Sequence, residues 1–450
     1  MSIWSILKNC IGKELSKITM PVVFNEPLTM LQRACEGLQY SNYLVMADSS
    51  DNPIERMEYV CAFIIAALSG NSLRIVKPFN PLLYETFEIE HDLEDGTRVK
   101  GIAQQVSHHP PITAAYAESN SFSYSGVINP KIKFWGRSVD ISHDGVCKIH
   151  LKRHNESYIF KAVPCSIHNI IVGKLWFEHN GSLDIKCSES NLQTNLTFKQ
   201  AGWFSSDLHR FDGFISSGLD PKNSRKLRFV YGKWTSYIKS VEYSIYENYM
   251  KENQNKLFRI PDDPDQGSDG VVGDIKNMNI TSSINNNSIG SNDLQSNHKG
   301  GLQASSSKSG DKKQFTKSES SQSLDIPNSK TIWRLETQFF SEYYYFSPFT
   351  MKLNELTPHL AKTLPRTDSR FRPDVRKLEE GDLDGAANEK HRLEERQREI
   401  RCKDKRFKEP SPDFLWFETQ EVSSMKEKHY VYKGGYWENK CNTEKFPDLF

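Results

Sequence analysis

Apolar residues recur at helical spacing in the first seventy positions and at strand spacing over the next hundred and sixty. Near the start, Ile3, Trp4, Leu7, Ile11 and Leu15 fall on one stripe, with Lys8, Lys13 and Glu14 off it, which predicts a short amphipathic helix. Such a helix suits packing into a core, closing as a lid, or touching a membrane, and a tryptophan near its tip favours the last two. Leu28, Leu31, Ala34, Cys35 and Leu38 predict a second helix. Asp51-Asn52-Pro53 announces a third: a capping residue is followed by proline at the first helical position, and Gly70 supplies the stop. Its body from Met57 to Leu68 is apolar nearly all round, so it is expected to be buried.

From about Leu73 to Tyr231 the period changes to two. Cys147, Ile149 and Leu151 alternate with Lys148, His150 and Lys152, and short runs follow at Tyr158 to Val163, Ile167 to Trp176, Leu183 to Cys187, Leu192 to Phe198 and Leu227 to Tyr231. Asn180-Gly181, Asp144-Gly145 and Asp212-Gly213 are turn signals. So many closely spaced strands predict a sandwich or barrel, and a large barrel leaves an interior able to hold an apolar ligand. Residues 253–330, with Asn285-Asn286-Asn287 and Ser305-Ser306-Ser307, offer little to bury and are expected to be a disordered insertion. Dense aromatics resume at Trp333. A long charged helix is predicted from Ala386 to about Phe407, with Lys390, Glu394 and Arg398 four apart on one face, a spacing that also suits a merely solvated helix.

Composition narrows the function classes. The 450 residues carry 58 basic and 57 acidic side chains, a net charge of +1, which gives no support for nucleic-acid binding and requires any basic surface to be local. The eight cysteines include no CxxC pair, which argues against a zinc module or disulfide scaffold and fits a reducing compartment. No cleavable signal pattern opens the chain, and the longest apolar run, Val60 to Leu68, is far short of the ~20 residues of a membrane span. A cytoplasmic protein is expected.

The candidate chemistry centres on Gln104-Gln105-Val106-Ser107-His108-His109-Pro110-Pro111. The prolines stiffen a bend that presents two imidazoles at a strand end. Taken alone, the pair could hold a metal, an anion, or only its own backbone. Consecutive histidines lack the spacing of a metal triad, and there is no G-x-S-x-G elbow or P-loop, so a metal-assisted phosphoesterase is the weaker reading.

Gln105-Val-Ser-His-His-Pro-Pro111 resembles the fingerprint of the oxysterol-binding-protein-related family of lipid carriers. Lys77-Pro-Phe-Asn-Pro-Leu-Leu83 with Glu85-Thr-Phe87, Asn25 to Arg33, Lys131 to Trp135, His168 to Trp176, Thr367 to Asp374 and Lys390 to Arg398 are also similar to family segments, in family order. The likeness is to short members lacking a pleckstrin-homology domain. It implies a mainly β fold with α: a large, incompletely closed antiparallel barrel around a hydrophobic lipid tunnel, an N-terminal lid helix and flanking helical segments. The implied division is 1–252 for lid, first helices and barrel, 253–330 for the insertion, and 331–450 for a C-terminal helical part of the same domain.

The resemblance further implies a phosphoinositide headgroup held by Lys77, Asn80, His108, His109, Lys390, Glu394 and Arg398, with Ile3, Trp4, Leu7 and Ile11 closing over the ligand. Basic groups beside imidazoles suit a phosphomonoester through charge-assisted hydrogen bonds, while Glu394 would orient a neighbouring cation or accept from inositol hydroxyls. The expected partners are a sterol, a phosphatidylinositol phosphate and a transiently touched membrane surface, with no cofactor, metal or catalysis. The expected function is exchange of the two lipids between membranes, in the cytoplasm or at membrane contact sites; a lipid sensor without net transfer and a phosphatidylserine exchanger are the alternatives. Two positions depart from the family: glutamine for glutamate at Gln104, and tyrosine for glycine at Tyr84, where glycine would permit special backbone angles.

Overall fold

The computed structural model describes residues 20–201, 208–220, 222–254, 258–259, 322–403, 412–421, 428–440 and 448–450. The stripe of Ile3, Trp4, Leu7 and Ile11 and most of the low-complexity segment lie outside the described residues.

Twelve antiparallel strands form one sheet: Thr86–Asp92, Arg98–His108, Pro111–Glu118, Phe122–Ile128, Val146–Leu151, Glu156–Lys161, Gly181–Cys187, Leu192–Phe198, Arg210–Ser217, Arg225–Lys233, Tyr237–Glu242 and Lys330–Arg334. They lie side by side in the order in which they occur in the chain. Among the described residues no ladder joins the first strand to the last, so the curved sheet stays open. The final strand comes from beyond the low-complexity segment and pairs through Ile238 with Trp333.

Two excursions from this meander meet each other. Pro130–Phe134 and Ser138–His143 leave after the fourth strand, Cys165–His168 and Trp176–His179 after the sixth. Pairing of Cys165 with Ile141 joins them into a separate four-stranded sheet. The single run expected from Ile167 to Trp176 is therefore two strands and a projecting loop. Asp212-Gly213 is not a turn: it sits mid-strand, Gly213 opposite Leu196, where a Cβ would lie 1.9 Å from the Asn195 carbonyl oxygen. Glycine is needed there for close backbone approach.

The helix Pro53–Leu68 starts as its sequence indicates, with the Asn52 side chain accepting from the Ile54 amide at 2.9 Å. Arg56 anchors that end to strand residue Glu156 through two bonds of 2.8 and 2.6 Å. The body is buried on nearly all sides, packing Val60, Ile64 and Ile65 into a core with Ile149, Leu183, Leu196, Phe211 and Trp234. Each large apolar side chain so buried contributes about 1.5–3 kcal/mol.

The preceding helix is shorter than its periodicity suggests. Asn25–Thr29, including Leu28, is a strand paired in parallel with Lys77–Phe79, and the helix runs only over Met30–Cys35 behind a Thr29/Gln32 capping box. That strand pairing, a long-range contact, overrides the helical period at Leu28. Beyond residue 334 come the helices Pro373–Glu379 and Leu383–Lys403 and a hairpin of Phe417–Glu421 with Lys428–Tyr432. No described helix is long and apolar enough to cross a membrane.

Candidate functional site

The strand Arg98–His108 ends at the double histidine, and Pro111 opens the next strand directly opposite His108. His109 and Pro110, joined by a cis peptide, make the connection. The two imidazoles meet edge to face, 4.7 Å between ring centres. His108 is half-buried, with Nδ1 3.2 Å from the Pro81 carbonyl oxygen. A carbonyl only accepts, so Nδ1 carries the proton and the neutral ring turns a lone pair outward at Nε2. Burial, with His109 and then Arg401 and Arg372 nearby, pushes the pKa of His108 down to about 4 despite the Pro81 contact. Donation by Nε2 to an anion therefore requires uptake of a second proton.

Lys77 stands on the short strand Lys77–Phe79. Its backbone is fixed by Asn25, whose Nδ2 donates to the carbonyls of Lys77 and Pro78 at 3.3 and 3.2 Å. The residue keeps contact with solvent at the rim. Even so, the surrounding protein and then the charge of Lys390 hold its pKa down to about 8, with Glu394 opposing.

The charged helix Leu383–Lys403 reaches the same rim through two apolar anchors. Ala386 packs with Val22, Phe79 and Val375, and Leu393 with Leu82, Leu83 and Tyr84. Lys390 lies between them at helical spacing and is thereby turned inward. It donates to the Met20 carbonyl at 2.9 Å and pairs with Glu394 at 2.9 Å. Arg398 approaches Glu394 at 3.7 Å with 62% of its side chain in solvent. Thus Lys77, Lys390 and Glu394 are brought together, and His108, with His109 beside it, meets the start of the Asn80–Glu85 loop at Pro81. Asn80 is exposed, and Arg398 faces outward at the edge of the group.

The sequence assigned no role to the residues that shape this loop. Arg372, essentially without solvent contact, donates to the Asn80 carbonyl at 3.0 Å and Glu85 at 2.9 Å, and binds Asp374 through two further bonds of 3.0 and 2.6 Å. Glu85 in turn accepts from the Leu82 amide at 2.8 Å and the Ser369 hydroxyl at 2.6 Å. The only signal was that Glu85 and Arg372 stand inside family-like segments.

The two departures have a shared location. Tyr84 is fully buried at φ 71°, a left-handed conformation that glycine adopts without strain, and its ring packs edge-on against Phe414, 5.4 Å between centres. Gln104 Nε2 donates to the carbonyls of Phe414 at 2.9 Å and Tyr84 at 3.4 Å, while its Oε1 accepts from the Trp416 amide at 2.8 Å. An amide satisfies donors and acceptors together; an ionised carboxylate in its place would only accept.

A curved open meander with a basic, imidazole-lined rim defines a class as well as a shape. Residues 2–441 match the family model for oxysterol-binding protein, and the chain belongs to that family. It is 36% identical over 457 residues to oxysterol-binding protein-related protein 2 of Mus musculus, covering 100% of this chain and 85% of that protein. It is 38% identical over 453 residues to oxysterol-binding protein-related protein 1 of Rattus norvegicus, spanning 100% of this chain but only 42% of that longer relative. Among solved structures it resembles the Osh1 ORD domain in complex with cholesterol (TM-score 0.72, 27% identity, 100% of this chain and 91% of that one). It also resembles the Osh3 ORD in complex with PI(4)P from Saccharomyces cerevisiae (TM-score 0.69, 27% identity, 100% and 96%).

Proposed function

We propose that this protein is a non-catalytic lipid carrier that holds either a sterol or a phosphoinositide inside the open barrel and exchanges them between membranes. The observation that carries the reading is the grouping at the rim of the solvent-exposed Lys77 with the inward-turned Lys390 and its partner Glu394, a few residues from the Pro81 carbonyl that His108 meets. The surrounding protein and the charge of Lys390 lower the pKa of Lys77. An anionic headgroup would relieve that mutual repulsion. Lys77, His108, His109 and Lys390 would bind its phosphate, Asn80 and Glu394 its hydroxyls, and Arg398 its outer edge. The relatives with cholesterol and PI(4)P bound support both ligand classes, and one container for two ligands makes their occupancy mutually exclusive.

Changing His108 and His109 together to alanine tests the assignment. Phosphoinositide extraction from liposomes is expected to fall to background, while sterol binding stays within about twofold. Unchanged extraction removes the histidines from the site. A two-liposome exchange assay separates carriage from sensing: a sensor loads ligand but moves none, and phosphatidylserine moving in place of sterol would change the cargo class.

A further inference from the structure

Three of the eight large apolar side chains that the described residues leave exposed occur together on the four-stranded sheet: Trp135, Ile171 and Val172, the last 80% exposed. Trp135 follows the strand Pro130–Phe134; Ile171 and Val172 project from the loop between Cys165–His168 and Trp176–His179. The Ile170 amide donates to the Arg137 carbonyl at 3.2 Å, which makes the two projections neighbours. The loop holds its own shape: Asn169, at φ 62°, donates to the Lys174 carbonyl at 2.9 Å, and Gly173 turns at φ 96°. Trp135 is held by its indole N–H on Asp140 at 2.7 Å, so its ring is fixed while most of it remains in solvent. Around these three stand Lys133 and Arg137, both exposed, and the half-buried Lys174, while the nearby Asp140 is occupied by Trp135 and Ser166.

We infer that this projection is a membrane-docking tip, with Trp135, Ile171 and Val172 entering the interface of an anionic bilayer and the basic residues lying on its headgroups. The inference rests on the carrier reading above for its partner. Ordered aromatic and branched side chains beside cations suit the headgroup–acyl boundary, where indole has an apolar face and a polar edge. The tip also has a short physical link to the rim. Its underside, Phe134, Ile132 and Ile170, packs with Met20, and the Met20 carbonyl is the one that Lys390 binds. Docking here would set the ligand rim beside the lipid surface.

Vesicles of phosphatidylcholine with phosphatidylserine, containing neither sterol nor phosphoinositide, remove cargo from the test. The full chain is expected to float with them. Ile171→Asp with Val172→Asp should cut the bound fraction roughly tenfold, and Lys133→Gln or Arg137→Gln about fivefold each. Brominated acyl chains should quench the wild-type tryptophan emission, and the quenching should fall clearly in Trp135→Phe, whatever Trp4 contributes. Binding of a water-soluble short-chain phosphoinositide should be unchanged in every variant, which shows that the fold and the rim are intact. Equal flotation of the Ile171/Val172 variant, or quenching in Trp135→Phe equal to that of the wild type, overturns the tip. Absence of short-chain ligand binding in the wild type would instead strike the carrier reading, whatever the flotation result.

Discussion

Arg372, which braces the rim segment, and Lys77, which stands on it, are treated in opposite ways. Arg372 has every nitrogen of its guanidinium bonded, to Glu85, Asp374 and the Asn80 carbonyl. The buried carboxylates drive its pKa above that of a free arginine. Lys77, exposed at the rim, has no ion pair among the described residues, and the surrounding protein and then Lys390 push it down to about 8. Arg372 is saturated by the fold it holds; Lys77 is left short of counter-charge, although its neighbour Lys390 is paired with Glu394. The rim combines both, a rigid frame built on Arg372 and an unsatisfied face built on Lys77.

Removing the frame should have the largest effect. Arg372→Met leaves Glu85 and Asp374 buried without their cation and is expected to cost about 3–5 kcal/mol in urea unfolding. A loss below 1 kcal/mol would dissolve the distinction between frame and face. Lys77→Met should do the reverse, leaving stability unchanged or slightly raised, since a partly desolvated charge is removed, while weakening short-chain phosphoinositide binding by about tenfold or more.

The same contrast has a proton signature. A bound anion raises the depressed pKa values of Lys77 and His108, so binding takes up protons, and affinity falls as pH rises through about 8. Calorimetry in two buffers of different ionisation enthalpy measures this uptake; zero uptake would mean that neither group meets the headgroup. Gln104→Glu is the mildest change. It forfeits donation to the Phe414 and Tyr84 carbonyls, should cost about 1–2 kcal/mol, and should leave headgroup affinity intact because the residue lies behind the rim.

The fold was legible where a signal is local. The cap at Asn52, the apolar body of the helix that follows and the alternation of Cys147, Ile149 and Leu151 are all written within a few residues of one another. Leu28 was misread because its strand exists only through pairing with Lys77–Phe79, some fifty residues on. The Asp212-Gly213 turn signal misled for a related reason, since glycine serves close approach in the sheet as well as turns. In the candidate site, the residue pattern singled out the double histidine and the Lys390–Arg398 helix face, and resemblance added Lys77 and a headgroup role for all three. Arg372, Glu85 and the tip around Val172 lie inside family-like segments, but nothing in those segments assigned them a role, because the role depends on contacts with residues far along the chain.

The amino-acid sequence by itself determined the order of helical and strand segments, the family and the chemical character of the rim, because periodicity, capping and motif are properties of neighbouring residues. Only the tertiary structure decided that two excursions merge into a second sheet and that Lys390 lies close enough to Lys77 to shift its proton equilibrium. Those outcomes depend on distances between residues far apart in the chain, and burial and charge act through distance in space.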